Sequence, residues 1–211
     1  MSDRRSDVVR AGYDRLGDRY VSWAALIEDD PRERFVAELE ARLEPGARTL
    51  DLGCGAGVPT ASRLAERFTV LGVDVSNVQL ERARREVLGA TFVQGDIAEL
   101  DFPDASFDAV VALYSLTHVP REAHPDLFGR IARWLPDGGL FLASLGASGE
   151  DDWLGEWLGV EMFFSSWDAD TNRRLIRDAG FELARDEVVT MHEPGCPATF
   201  LWALASRRSD G

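Results

Sequence analysis

The chain is predicted to fold as an α/β domain, an open and mostly parallel sheet with helices on both faces. Three observations carry that expectation. Five short apolar runs, near residues 48–52, 69–74, 90–94, 107–113 and 139–145, have the length and continuity of strands buried on both faces. Helical patterns lie between them, and such alternation implies right-handed crossovers. The first run ends in Asp51-Leu52-Gly53-Cys54-Gly55-Ala56-Gly57, ahead of a helix opening at Pro59. That is the strand, turn and helix corner at which open α/β sheets take ligands.

The remaining elements follow in order. Residues 3–44 read as helical, with Val8, Tyr13, Leu16 and Tyr20 as one amphipathic face. After the second strand, Ser76 and Gln79 have capping-box spacing; Leu80, Ala83 and Val87 form a stripe, and Gly89 supplies a stop. From about Arg121, Leu127, Ile131, Trp134 and Leu135 line another helix. Residues 146–167 combine Gly146, Gly149, Gly155 and Gly159 with Trp153, Trp157, Leu158, Met162, Phe163, Phe164 and Trp167. They read as a glycine-hinged cover that excludes water and holds an apolar or aromatic substrate, or as a sheet-edge cap or dimer contact. Asp168 starts a helix with Leu175 and Ile176 inward, ended by Gly180. The runs 187–191 and 198–204 flank a short turn and read as an antiparallel hairpin.

The glycine corner differs from a dinucleotide fingerprint. Its third glycine comes one place early, with Val58 at the expected position, and Asp51 precedes the first. A carboxylate there repels a pyrophosphate and attracts an ammonium group. A lone acid, Asp74, ends the second strand, where it can take both hydroxyls of a ribose.

At these residues the chain resembles class I S-adenosylmethionine-dependent methyltransferases, whose first motif is matched at 51–57. The resemblance extends through Phe92 to Ile97, Phe107 to Tyr114, Leu116-Thr117-His118-Val119 and Trp134 to Gly139, roughly residues 45–145. It implies a Rossmann-like seven-stranded sheet of order 3-2-1-4-5-7-6, the hairpin supplying the last two strands. One domain is expected, divided into an N-terminal helical lid (1–44), a cofactor core (45–145) that carries the resemblance, a cover (146–167) and a C-terminal helix with hairpin (168–211). The cofactor residues implied by the resemblance would be Asp51, Gly53, Cys54, Gly55, Gly57, Asp74, Val75, Gln79, Asp96, Ile97 and Leu113. Asp74 would hold the ribose and Asp51 the ammonium, directly or through water. Asp96 would accept from the adenine amino group, Ile97 would offer its backbone N–H, and Val75 and Gln79 would flank the ring. Tyr13-Asp14-Arg15-Leu16-Gly17-Asp18-Arg19-Tyr20 resembles a lid helix whose second tyrosine covers the methionine end, with Asp18 where alanine is usual.

The implied activity is methyl transfer to oxygen or nitrogen of a small metabolite. Hydroxyl acceptors are helped by a base within about 2.6–3.2 Å. His118, after the fourth strand, is the leading base; Tyr114 is a weaker alternative, and a structural or substrate-contact role is open to His118. A noncatalytic binder of the same cofactor and, further off, a nicotinamide-type oxidoreductase complete the readings.

Composition narrows the partners. All 23 basic residues are arginine against 37 acids, a net charge of −14, which disfavours nucleic acid. No apolar stretch reaches the roughly 18–20 residues of a membrane span, and Met1-Ser2-Asp3-Arg4-Arg5 leads into a charged helix, so a cytoplasmic location is expected. Cys54 and Cys196 form neither a disulfide framework nor a metal spacing. A monomer or homodimer is expected.

Overall fold

The computed structural model describes residues 4–209. Three helices come first: α1 (Arg4–Leu16), α2 (Asp18–Ala24) and α3 (Arg32–Glu40). The alternating core follows as β1 (Arg48–Leu52), α4 (Thr60–Leu64), β2 (Thr69–Asp74), α5 (Asn77–Glu86), β3 (Ala90–Gln94), β4 (Ala109–Ala112), α6 (His124–Trp134) and β5 (Leu140–Gly146). A small hairpin, β6 (Trp153–Trp157) and β7 (Val160–Phe164), precedes α7 (Ala169–Asp178) and the long pair β8 (Phe181–Glu193) and β9 (Cys196–Arg207).

The main sheet has seven strands in the order β3-β2-β1-β4-β5-β9-β8. With the separate β6–β7 hairpin left out of the count, that is the expected 3-2-1-4-5-7-6. Pairings are parallel from β3 to β5 and antiparallel at β5–β9 and β8–β9. Strand alternation divides the core between two faces. Val110, Phe141, Leu201 and Ala203 pack with α6 and α7 residues on one side, while Val111, Leu142, Trp202 and Leu204 join Phe35, Leu39 and Leu64 on the other. The order reverses between β1 and β4, which opens a crevice at their carboxyl ends.

Several expectations are corrected. The fourth strand covers only Ala109–Ala112, because Tyr114 adopts φ 60° and turns the chain away. The N-terminal helix breaks at Gly17, φ 48°, into two. The buried face of α1 is Val9, Gly12 and Leu16, and Val8 is only half-buried. The capping box at Ser76 is half formed: its hydroxyl accepts from Gln79 N, whereas the Gln79 amide donates to Gly17 O.

The segment 146–167 is a strand pair rather than a hinged loop. Leu158 (φ 51°) and Gly159 (φ 77°) make its tight turn, and Gly155 is a strand position over which the Trp153 indole lies. This hairpin packs on α1 through Val9, Leu16, Val160, Met162 and Phe163. Gly12 permits the approach, since a β-carbon there would stand 2.6 Å from Met162 Cε. Among the described residues, no helix is long and apolar enough to cross a membrane.

Candidate functional site

Strand ends and the loops after them converge on the crevice. Gly53 and Cys54 donate to Val73 O at 2.7 and 3.0 Å, binding the first loop to β2. Gly55 N then donates to Asp74 Oδ2 and Ser76 N to Asp74 Oδ1, each at 2.8 Å, so the carboxylate is fixed by backbone alone. Gly53 has φ 74°, and a β-carbon there would lie 2.2 Å from Ser115 Cβ. It is therefore required by the closure of β4 on β1, which Ser115 Oγ completes by donating to Leu52 O at 2.7 Å. Gly57 packs under the loop against Ala83, Val87 and Phe92. Gly55 alone of the three would direct a side chain into open space.

Two adjoining cavities occupy the crevice. The first has an empty volume of about 970 Å³ including its mouth, and is lined by Gly53, Gly55, Asp74, Val75, Gln79, Asp96, Ile97 and Leu113, together with Val9 and residues 118–120. Asp96 Oδ1 accepts from Ala98 N at 2.9 Å. The second, about 1840 Å³ on the same measure, is walled by Trp23, Ile27, Trp153, Trp157, Phe164 and Phe200, with Arg32, Thr117 and Glu193. Tyr13, Tyr20, Tyr114 and His118 line both. These four side chains form the common wall, and two of the rings, Tyr13 and Tyr20, meet edge to face at 5.1 Å.

Three expected cofactor residues stand back from the cavity surface. Gly57 is a packing position, and the Cys54 sulfur points at Gly72, where burial raises its thiol pKa. Asp51, 3% exposed, lies behind the loop with Oδ2 unpartnered; burial raises it to about 7, opposed by nearby Arg32. Asp74 is raised to about 6, again chiefly by burial, against the pull of its backbone donors.

His118 sits in a short turn between β4 and α6 with both ring nitrogens engaged. Nδ1 is 2.8 Å from Phe163 O and Nε2 2.8 Å from the Tyr13 hydroxyl. Burial lowers its pKa to about 4, so the ring is neutral at ordinary pH. Of the other histidines, His124 is buried on Leu116 O and Val119 O, and exposed His192 meets Asp29 outside the cavities. Tyr114 is unsuited to the base role considered for it. Its hydroxyl donates to Asp30 Oδ1 at 2.6 Å, and burial beside that carboxylate pushes its pKa far up. Arg32 lies over its ring at 4.9 Å.

The N-terminal helices roof the first cavity. Ser76 Oγ donates to Asp14 Oδ1 at 2.6 Å, and Asp18, the departure from the lid pattern, pairs with Arg82 of α5. Tyr13, Trp23, Arg32 and Glu193 escaped assignment from sequence. Tyr13 carried a signal, being the first aromatic of the lid motif; the others come together only by tertiary folding.

The crevice and its glycine corner define an α/β protein of the nucleoside-cofactor type, and the comparisons specify which. Residues 49–139 match the methyltransferase domain family. An uncharacterized methyltransferase of Synechocystis sp. is 33% identical over 154 residues, covering 68% of this chain and 70% of the relative. The chain belongs to the class I S-adenosylmethionine-dependent methyltransferases. A sterol 24-C-methyltransferase of Yarrowia lipolytica is 35% identical over 132 residues, 58% of this chain and only 34% of that enzyme's length. In structure, DhpI in complex with SAH superposes with a TM-score of 0.75 over 99% of both chains at 18% identity, a likeness of fold.

Proposed function

We propose that this protein transfers a methyl group from S-adenosylmethionine to an oxygen or nitrogen of a small, apolar or aromatic acceptor. The observation that carries this reading is the pair of cavities sharing a wall of Tyr13, Tyr20, Tyr114 and His118. One chamber has the polar groups for a nucleoside and the other the aromatic walls for an acceptor.

The first chamber fits the cofactor on two independent counts. Gln79 Oε1, on the chamber wall, and Asp51 Oδ2, set back behind the glycine loop, are buried acceptors without partners, a costly state that a cofactor hydroxyl would relieve at the first and the ammonium, reached through water, at the second. Open space at Gly55 leaves room for the methionyl chain. Asp74 would accept from the ribose hydroxyls with lone pairs not used by Gly55 and Ser76. Asp96 and the Ile97 N–H would meet the adenine, with Val75, Gln79 and Leu113 around the nucleoside and Tyr20 over the methionine end.

When bound, the cofactor supplies an electrophilic methyl on a sulfonium whose positive charge vanishes on transfer. The chain supplies alignment, worth about 7–11 kcal/mol in favourable cases, and exclusion of water by Trp23, Trp157 and Phe164. For a hydroxyl acceptor, neutral His118 is the proton's destination.

Calorimetry with S-adenosylhomocysteine and with NADH tests the cofactor assignment: the former is expected to bind and the latter not to. The opposite pattern overturns it. Methyl uptake from labelled cofactor across a metabolite panel then identifies the accepting atom, and uptake confined to carbon acceptors would refute the oxygen or nitrogen assignment.

A further inference from the structure

The His118 ring has no free nitrogen. A carbonyl oxygen only accepts, so the contact with Phe163 O fixes the proton on Nδ1. Nε2 is then bare, and the Tyr13 hydroxyl, 2.8 Å away, donates to it. Tyr13 lines both chambers. A proton leaving an acceptor in the second chamber therefore reaches Nε2 only by way of the Tyr13 oxygen.

The geometry points to Tyr13 as a catalytic residue that takes the acceptor's hydroxyl proton while passing its own to His118. The inference rests on the methyl-transfer reading and concerns its hydroxyl acceptors. As the acceptor oxygen forms its bond to the methyl carbon, the carbon–sulfur electron pair returns to sulfur. The acceptor proton moves to the Tyr13 oxygen, and the Tyr13 proton moves to Nε2. His118 ends as an imidazolium with Nδ1 still donating to Phe163 O. The positive charge lost from sulfur thus reappears on the imidazole, and the buried site keeps its total charge. That balance is what allows a histidine so resistant to protonation to act, because no net charge is added to a dry pocket.

Tyr13 also meets the requirement of exchanging protons rather than storing a charge. Burial and the neighbouring Tyr20 and Asp74 hold its hydroxyl well above the usual tyrosine range, so a standing phenolate does not form. Its ring is fixed edge-on to His118 at 5.3 Å and to Tyr20 at 5.1 Å, with Trp157 at 6.3 Å. The two anchors of the relay come from different elements: Tyr13 from α1 and Phe163 from β7, the pair that Gly12 allows to touch.

The test uses the full chain, Tyr13→Phe, and two probe acceptors, phenol and 4-nitrophenol, at a pH where only the nitro compound is ionised. An ionised acceptor has no proton to lose. Tyr13→Phe is expected to lower kcat for phenol about a hundredfold, with KM and S-adenosylhomocysteine affinity unchanged and 4-nitrophenol turnover little affected. Nitrogen-15 NMR of the imidazole gives a readout without turnover: Nδ1 protonated, and an Nε2 signal that moves toward the free value in Tyr13→Phe. Equal losses for both phenols, no loss for either, or a proton on Nε2 overturns the relay. Wild-type protein that binds S-adenosylhomocysteine but methylates neither phenol overturns it too while leaving the cofactor reading intact. Failure to bind S-adenosylhomocysteine removes the reading beneath it.

Discussion

The two chambers are built by different means. The first is made of strand ends and the loops that follow them, with Asp74 held by two backbone N–H groups and the glycine loop tied to Val73 O. The second is made of side chains brought from α2, the β6–β7 hairpin and the β8–β9 tip, meeting ring against ring: Trp157 touches Tyr13, Tyr20, Trp23 and Phe164. A backbone-built site tolerates little change and serves one ligand. A site of packed side chains can be re-cut by substitution while the sheet beneath it stands, which suits a part that selects among acceptors.

Substitutions separate the chambers. The largest effect is expected from Asp74→Ala, which would remove the two ribose hydrogen bonds proposed for it, about 1.5–3 kcal/mol each, and so weaken S-adenosylhomocysteine binding about a hundredfold or more. Calorimetry measures it, with circular dichroism checking that the Gly55 and Ser76 contacts are not needed to fold. His118→Ala should lower kcat for a hydroxyl acceptor about a hundredfold with unchanged S-adenosylhomocysteine affinity; an equal fall in affinity would place the ring in cofactor binding instead.

A pH effect of intermediate size distinguishes the first chamber. Asp51 near 7 and Asp74 near 6 lie above the ordinary carboxylate range. The folded protein without ligand thus binds more protons than the unfolded chain between about pH 4 and 7, and these two groups make it less stable as pH rises through that window. In the proposed complex the ammonium and hydroxyls would favour the ionised forms, so S-adenosylhomocysteine affinity should fall about tenfold per pH unit below 6 for each carboxylate that must ionise. Titrations in buffers of different ionisation enthalpy would reveal proton release; an affinity flat from pH 8 to 5 on the order of these values would contradict the assignment. The smallest effect, Trp157→Ala, should raise the acceptor KM about tenfold through lost aromatic contacts and leave the cofactor affinity alone. Trp153, which meets only Phe164 among ring contacts and is 42% exposed, should matter less.

The same contrast explains what could be read from the sequence. The β1 corner and the placement of Asp74 and Asp96 on the crevice were legible because each sits at a strand end in a short motif, whereas the strand order came from the family resemblance. Gly53 and Gly57 carry packing roles that the motif did not announce, closure on Ser115 for Gly53, which also lines the first cavity, and contact with Ala83, Val87 and Phe92 for Gly57. In α1 the inward stripe runs Val9, Gly12, Tyr13, Leu16, and a contact made through a glycine leaves no hydrophobic mark, which drew the face toward Val8. Tyr114 looked like a base from its place after β4, but its partner Asp30 lies 84 residues earlier in the chain. No periodicity announces such a meeting.

The central claim is that the reacting end of the cofactor lies at the wall shared by the two chambers. A crystal structure of the complex with S-adenosylhomocysteine tests it most directly. The account predicts adenosine beside Asp74 and Asp96, the amino group turned toward Asp51, and sulfur within about 4 Å of the Tyr13, Tyr20 or His118 side chains. Sulfur facing away from that wall, or the nucleoside lodged among Trp23, Trp157 and Phe164, would contradict it.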